Sequence, residues 1–401
     1  MEDLGAGAAR RPRVTVIRGT QLANLSELQI YAHLKEHGFD PELLGARRTS
    51  YTDREVPMPV RRLPVPPIAG RISRTMAGGY LIGQVSSYRY YHEYLVGFDK
   101  AVRDSDVLFP VDFGHPTSYQ CLKHKPRAKV VVQVWENIPF NWPEDRPLAQ
   151  HYRAVLDGAD HFVPFTASAE AALDRMGVSR ERRTLVYCGI DVSEFRPPSA
   201  PEREASRKAL GAGAEEVVLT FVGRLGFFKG IYTLLEALPA MDARVKLHVV
   251  GTGEEKRVAR RARDLGVERR VKLWGWVPHA ELRSKVLAGS DIAVAPSIPT
   301  DQWREQFSQF VVESMACGLP AIGSRTGALP EVIEEGTTGL LVTPDDPTAL
   351  AAAVDRLATA PALRSRLGEA GHRRAVKLFD ARKNAATLAE VLRTKVLGAS
   401  P

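Results

Sequence analysis

Glu305 and Glu313 stand eight residues apart in Glu305-Gln306-Phe307-Ser308-Gln309-Phe310-Val311-Val312-Glu313, at the entrance of a short helical pattern. Ser308 is placed to cap that helix, and Gly318 with Pro320 ends it. Amides near residues 307–310 then point out of the helix start, where the partial positive charge suits a phosphate. Glu313 can accept from a ribose diol, and Glu305 from the hydroxyls of a sugar. Two surface glutamates at a strand–helix junction would give the same spacing, and the pattern alone weighs both readings evenly.

A second group is Phe221-Val222-Gly223-Arg224-Leu225-Gly226-Phe227-Phe228-Lys229-Gly230. A buried strand ends in glycines and then offers two cations, Arg224 and Lys229, before the next helix. Ligands of open α/β sheets bind at the carboxyl ends of strands, and two fixed cations there can neutralise a diphosphate. A solvated loop with two ordinary charges is the equal alternative. Gly251-Thr252-Gly253 reads first as a tight turn after a strand and second as a close backbone approach to a nucleotide. Asp104-Ser105-Asp106 has the form of a metal-binding pair but sits in a helix-to-strand turn, so a polar turn is favoured.

These groups need a scaffold. The chain has 401 residues, enough for two domains, with ordinary apolar and charged fractions. Strand patterns alternate with helical ones in two runs, the signature of doubly wound parallel sheets. The first run is Val14–Ile17, Asp106–Phe109, Lys129–Val134 and His161–Val163. The second is Val217–Val222, Lys246–Val250, Val271–Leu273, Ile292–Ala295, Ala321–Ser324 and Gly339–Val342. Ala46–Gly83, rich in Pro, Gly and Arg, reads as long loops. The proline-rich stretch Asp191–Pro201 marks a domain junction. The expected division is an N-terminal acceptor-side domain over 1–190, a donor-binding domain over 191–375 and a last helix over 376–401 crossing back to the first.

Net charge is +8, with 25 Lys/Arg against 21 Asp/Glu in residues 1–190 and 30 against 26 in the rest. The excess is spread, so nucleic acid is not an expected partner. The basic balance suits phosphorylated substrates or peripheral contact with an anionic membrane face, and no feature of the sequence sets an oligomeric state. No secretory signal or spanning helix is expected, and the spread cysteines Cys121, Cys188 and Cys317 fit a reducing cytoplasm. Cys317 reads as a small buried residue. Tyr88-Arg89-Tyr90-Tyr91-His92-Glu93-Tyr94 reads as a half-buried helix, with stacking of an acceptor sugar or rest at a lipid interface second. Arg61, Arg62, Arg71 and Arg74 read as solvated surface, with an anionic acceptor second.

Taken in order, Arg224 and Lys229, Gly251-Thr252-Gly253, Gly275, Glu305-x7-Glu313, Ala316–Pro320, Gly327, Pro330–Ile333 and Gly339–Val342 form a pattern that resembles the retaining glycosyltransferases of family 4, which have the GT-B fold. Tyr187–Pro197 also resembles that family's hinge into its donor domain. The resemblance implies two Rossmann-like domains facing a cleft. It implies that Arg224 and Lys229 hold the donor diphosphate, that Gly19, Gly223 and Gly251 also belong to the donor-binding site, that Glu313 binds the ribose, and that Trp276 and Val277 flank the base. Glu305 with the backbone of Gln306, Phe307 and Ser308 would hold the sugar. The family's glycine pair after the first strand is reduced here to Gly19, and where it often places a histidine this chain has Trp135-Glu136-Asn137. Glu136 or Asn137 takes that place in this reading.

The implied activity is transfer of a hexose from a UDP-sugar or GDP-mannose to a hydroxyl acceptor, with retention and without a metal or other cofactor. Arg224, Lys229, Glu305 and Glu136 are the expected catalytic residues. A sugar isomerase or phosphorylase of the same fold, and a non-catalytic sugar-nucleotide binding subunit, are the alternatives.

Overall fold

The computed structural model describes residues 10–19, 25–47, 56–66, 94–125, 127–142 and 146–398. Residues 88–93, Arg71 and Arg74 lie outside them. The chain forms two compact units, one of residues 1–165, 173–188 and 381–401, the other of 166–172 and 189–380.

The first unit holds a six-stranded parallel sheet in the order β3-β2-β1-β4-β5-β6. Its strands are β1 (Arg13–Ile17), β2 (Asp40–Ala46), β3 (Val60–Leu63), β4 (Val107–Pro110), β5 (Lys129–Val134) and β6 (His161–Pro164). The second unit repeats the wiring as β12-β11-β10-β7-β8-β9. There the strands are β7 (Val217–Val222), β8 (Val245–Val250), β9 (Val271–Gly275), β10 (Ile292–Ala295), β11 (Ala321–Ser324) and β12 (Gly339–Val342). Each sheet is a doubly wound Rossmann sheet, because its strand order reverses once, between its first and fourth strands in the chain.

β-Branched and leucine side chains make the central strands apolar on both faces. Val217, Leu219, Phe221, Leu247, Val249, Ile292, Val294 and Ile322 pack with Leu234, Leu235 and Val354 from flanking helices into one core. Burying each such side chain contributes about 1.5–3 kcal/mol.

Two strands were not expected. β2 is masked by Asp40, Pro41 and Glu42, yet it pairs with β1 from Arg13↔Asp40 to Ile17↔Leu44. Pro41 is tolerated near the strand start, where fewer ladder bonds are lost. β3 lies inside Ala46–Gly83, which therefore is not loop throughout. Its Val-Arg-Arg-Leu sequence has no apolar run because it is an edge strand, half-exposed and charged. Arg61 pairs with Glu42, and Arg62 donates to the Ala46 carbonyl at 2.9 Å, so both arginines tie the sheet edge together.

Among the described residues no helix is long and apolar enough to cross a membrane.

Candidate functional site

The switch point of the second sheet lies between β7 and β10, and the loops leaving those two strands carry the expected donor residues. Lys229 reaches Glu305, its Nζ lying 3.0 and 2.8 Å from the two carboxylate oxygens. Ser297 Oγ donates to the same carboxylate at 2.6 Å. Glu305 is only 5% exposed and Glu313 only 2%. Neither is a surface glutamate, so that alternative is set aside.

Arg224 is exposed, with its guanidinium 5.7 Å from the centre of the Phe228 ring. Phe228 packs edge-on against Trp303 at 4.8 Å, and Lys229 Nζ lies 5.0 Å from the Trp303 ring. The two cations are thus held by a pair of aromatic rings, each contact contributing about 0.5–2 kcal/mol. Phe228 and Trp303 had no signal in the sequence beyond being aromatic residues next to charged ones.

The helix Gln309–Ala316 begins as expected, but Ser308 does not cap it with its side chain. Ser308 takes φ 54°, in the left-handed region. That conformation costs a non-glycine residue about 1–3 kcal/mol and is typical of sites where the surroundings over-determine the backbone. It turns the Glu305–Phe307 segment sharply into the helix, whose first-turn amides point out of its start by helical geometry. Gln306 is half-buried and Phe307 is buried, stacked edge-on with Phe379 at 5.5 Å.

Glycines fix the approach of these loops. Gly327 has φ +55°, and a Cβ there would stand 2.0 Å from the Glu305 carbonyl oxygen. Ala328 N–H donates to that same carbonyl at 2.9 Å. Gly327→Ala is therefore expected to destabilise the chain by at least about 1–2 kcal/mol from backbone handedness alone. It should also move Glu305 and raise the donor KM, measured by thermal unfolding and donor titration together. Gly251, at φ +135°, passes so close that a Cβ would stand 1.9 Å from the Gly223 carbonyl oxygen. This supports the tight-turn reading of Gly251-Thr252-Gly253 and places Gly223 and Gly251 side by side.

Glu313 brings in a residue that the sequence reading missed. His279 Nε2 lies 2.8 Å from Glu313 Oε1. Burial alone would lower the His279 pKa, but the hydrogen bond and charge of Glu313 outweigh it and raise it. Burial raises Glu313, with His279 opposing. Phe195 backs the imidazole at 5.1 Å between ring centres. The contact fixes one carboxylate oxygen and so orients the other. His279→Ala is expected to raise the donor KM about tenfold with kcat nearly unchanged, the pattern of lost uniform binding. Trp276, 68% exposed, and half-buried Val277 follow β9, in the loop that leads to His279.

In the first unit the corresponding switch point lies between β1 and β4. Arg18 is 2% exposed and donates to Gln133 Oε1 at 2.6 Å, which also takes Tyr31 Oη at 2.5 Å. Gly19, next in the chain, accepts from Ala46 N–H at 3.4 Å. Burial pushes Glu27 up to about 7 against the pull of Arg18. After β4, Asp112 adopts φ 46° and accepts from Trp135 N–H and Glu136 N–H at 2.7 and 3.1 Å. Burial likewise raises Asp112. Glu136 is pushed up to about 7, first by burial and then by the charge of Asp112. Asn137 is buried beside it.

Asp106 accepts from Arg13 N–H at 2.6 Å and from Arg10 at 2.8 Å, and Ser105 bonds Thr15, so Asp104-Ser105-Asp106 acts as a turn that ties β4 to β1. Cys121, Cys188 and Cys317 are free and buried, and burial pushes the Cys317 thiol up to about 12.

Among known proteins, a family model described as glycosyl transferases group 1 matches residues 216–360, and one described as glycosyl transferase 4-like domain matches residues 27–189. The D-inositol 3-phosphate glycosyltransferase of Geodermatophilus obscurus is 33% identical over 228 residues, 53% of this chain and 48% of that protein. Its namesake in Corynebacterium kroppenstedtii is 32% identical over 242 residues, 57% of this chain and 51% of that protein. The chain thus spans about half the length of the curated relatives it matches. Anabaena HepE in complex with UDP superimposes with a TM-score of 0.76 at 17% identity, over 96% of this chain and all (100%) of that one. Sucrose-phosphate synthase from Thermosynechococcus elongatus does so with 0.75 at 21%, over 97% and 100%. At those identities the solved structures speak for the fold, which is GT-B. The two glycosyl transferase models together match most of the chain, one over each sheet, and the chain belongs to the family 4 glycosyltransferases.

Proposed function

We propose that this chain transfers a hexose from a nucleoside diphosphate sugar to a hydroxyl acceptor, with retention of the anomeric configuration and without a metal. The observation that carries the reading is the Lys229–Glu305 pair at the switch point of the second unit, with Arg224 exposed on the same loop. When the bond from the anomeric carbon to the diphosphate breaks, negative charge builds on the leaving oxygens. Lys229, Arg224 and the first-turn amides of Gln309–Ala316 stabilise that charge, the task a metal serves elsewhere. Glu305 takes hydroxyls of the sugar. The acceptor oxygen bonds to the anomeric carbon on the face the phosphate leaves, and its proton passes to the departing phosphate. The products are a glycoside and a nucleoside diphosphate.

A UDP-sugar is favoured over GDP-mannose, since HepE is solved with UDP and with UDP-glucose. D-inositol 3-phosphate, named for the relatives, is one acceptor to test. Thermal unfolding with UDP, UDP-glucose, GDP and GDP-mannose tests the donor. A ligand at a hundred times its Kd adds about 2.7 kcal/mol of stability. Release of hexose from the bound donor in excess chelator tests the chemistry. No stabilisation by any of the four, or loss of release on chelation, would sink the corresponding part.

A further inference from the structure

The loop Glu136–Trp142 leaves the carboxyl end of β5 and is not used by the donor groups. Glu136 closes it, accepting from Ile138 N–H at 2.9 Å through one oxygen and from Asn141 Nδ2 at 3.1 Å through the other. Trp142 N–H donates to the Phe140 carbonyl at 2.9 Å. This closure holds Phe140 at φ 60°, a conformation that is a genuine outlier for a bulky side chain. The strained residue then presents its ring to solvent, 57% exposed. Burial does not repay such a placement.

The ring is not loose. Phe140 stands edge-on to Trp142 at 5.3 Å, Trp142 lies 5.5 Å from Tyr152, and Tyr152 stands edge-on to Phe113 at 5.8 Å. Phe113 is 2% exposed, so the four rings run from the core to the surface. Gly114 makes room for Tyr152, since a Cβ there would stand 2.5 Å from the phenol oxygen. A rigid aromatic edge beside a carboxylate and an amide in one short loop is complementary to a carbohydrate ring. Its C–H face packs on aromatic carbon, and its hydroxyls donate to Glu136 and accept from Asn141. An anionic lipid surface would meet the Glu136 carboxylate instead.

We propose that Glu136–Trp142 is the acceptor subsite and that its ligand is a pyranose ring, held on Phe140 and Trp142 with its hydroxyls on Glu136 and Asn141. The inference rests on the glycosyl-transfer reading and narrows its acceptor from any hydroxyl compound to a carbohydrate.

The five tryptophan indoles of the full chain give the readout by nitrogen-15 NMR, with the Trp142 signal identified by its loss in Trp142→Phe. Methyl α-D-glucopyranoside, galactopyranoside and mannopyranoside are titrated to about 100 mM, where weak single-ring binding is visible. UDP is titrated separately, with exposed Trp276 as its reporter. At least one pyranoside should shift Trp142 saturably. Phe140→Ala should weaken that binding several-fold, and Phe140→Tyr should keep it at an unchanged unfolding temperature. Silence of Trp142 with all three sugars, an equal shift in Phe140→Ala, or a Trp142 response to phosphatidylglycerol vesicles alone would overturn the acceptor inference. Failure of UDP to bind would instead overturn the donor reading, so the two failures are told apart.

Discussion

Lys229→Ala is expected to lower turnover by about 10²–10³-fold, the usual effect of removing one fixed donor to a developing negative charge. The ammonium faces both oxygens of Glu305 at 3.0 and 2.8 Å, so the variant also strips a buried carboxylate of its counter-charge. Ser297, a neutral donor, does not replace that charge, and stability should fall as well. The two effects separate in the double variant Lys229→Met/Glu305→Gln. Its neutral side chains remove the buried charge that has lost its ammonium, and the unfolding temperature should recover while turnover stays low. Arg224→Ala gives the complementary case. Arg224 is exposed and rests on the Phe228 face, so its loss should cut kcat/KM with little change in stability. Steady-state kinetics with the donor and thermal unfolding of each variant are the measurements. Turnover unchanged in both single variants would remove the assigned phosphate role.

Much of this site was legible because its scaffold is apolar and regular. The strands Val217–Val222, Ile292–Ala295 and Ala321–Ser324 lie where their short runs of apolar and small residues place them, buried on both faces. Once β7 is fixed, Arg224 and Lys229 follow its carboxyl end by chain order, and Glu305 follows β10 in the same way. The first sheet was less legible. β2 starts with Asp-Pro-Glu and β3 is an arginine-bearing edge, so neither shows the apolar run that marks a buried strand.

What the sequence hid about the site is mostly conformation and partnership across long separations. The spacing of Ser308 to its helix is correct for a cap, but the left-handed backbone there is a conformation that serine does not announce. His279 meets Glu313 from thirty-four positions away, and helix-start histidines have many uses, so no local pattern singles it out. Arg18 shows the same difficulty from the other side. An arginine after a strand reads as solvated, yet this one is buried against Gln133, which is 115 positions away. Its guanidinium lies at the first unit's switch point, beside Gly19, and the same corner holds Glu27 and Asp112.

That first-unit corner leads to the second large effect. Glu136→Gln is expected to lower kcat/KM for the acceptor by about 10²-fold, at the low end for a positioned group that exchanges a proton or a charged hydrogen bond with the substrate. Burial and the neighbouring Asp112 charge push Glu136 up to about 7, so its ionised fraction changes across neutral pH. The ionised carboxylate is the form that accepts an acceptor hydroxyl. The wild-type kcat/KM should therefore rise with pH along a limb centred near 7 and level off above it. Glutamine keeps the shape and the bonds to Ile138 and Asn141 in part, but it cannot ionise, so the limb should vanish while donor binding, which we assign to the other unit, is kept. Stability should respond in the opposite sense. The folded-state pKa lies above the unfolded one, so the native form binds more protons between roughly pH 4.5 and 7, and Glu136 makes the protein less stable as pH rises through that window. Above pH 7 Glu136→Gln should then be the more stable protein and the poorer catalyst. A variant that loses activity without losing the acid limb would show that another group titrates there and that Glu136 is only part of the loop's frame.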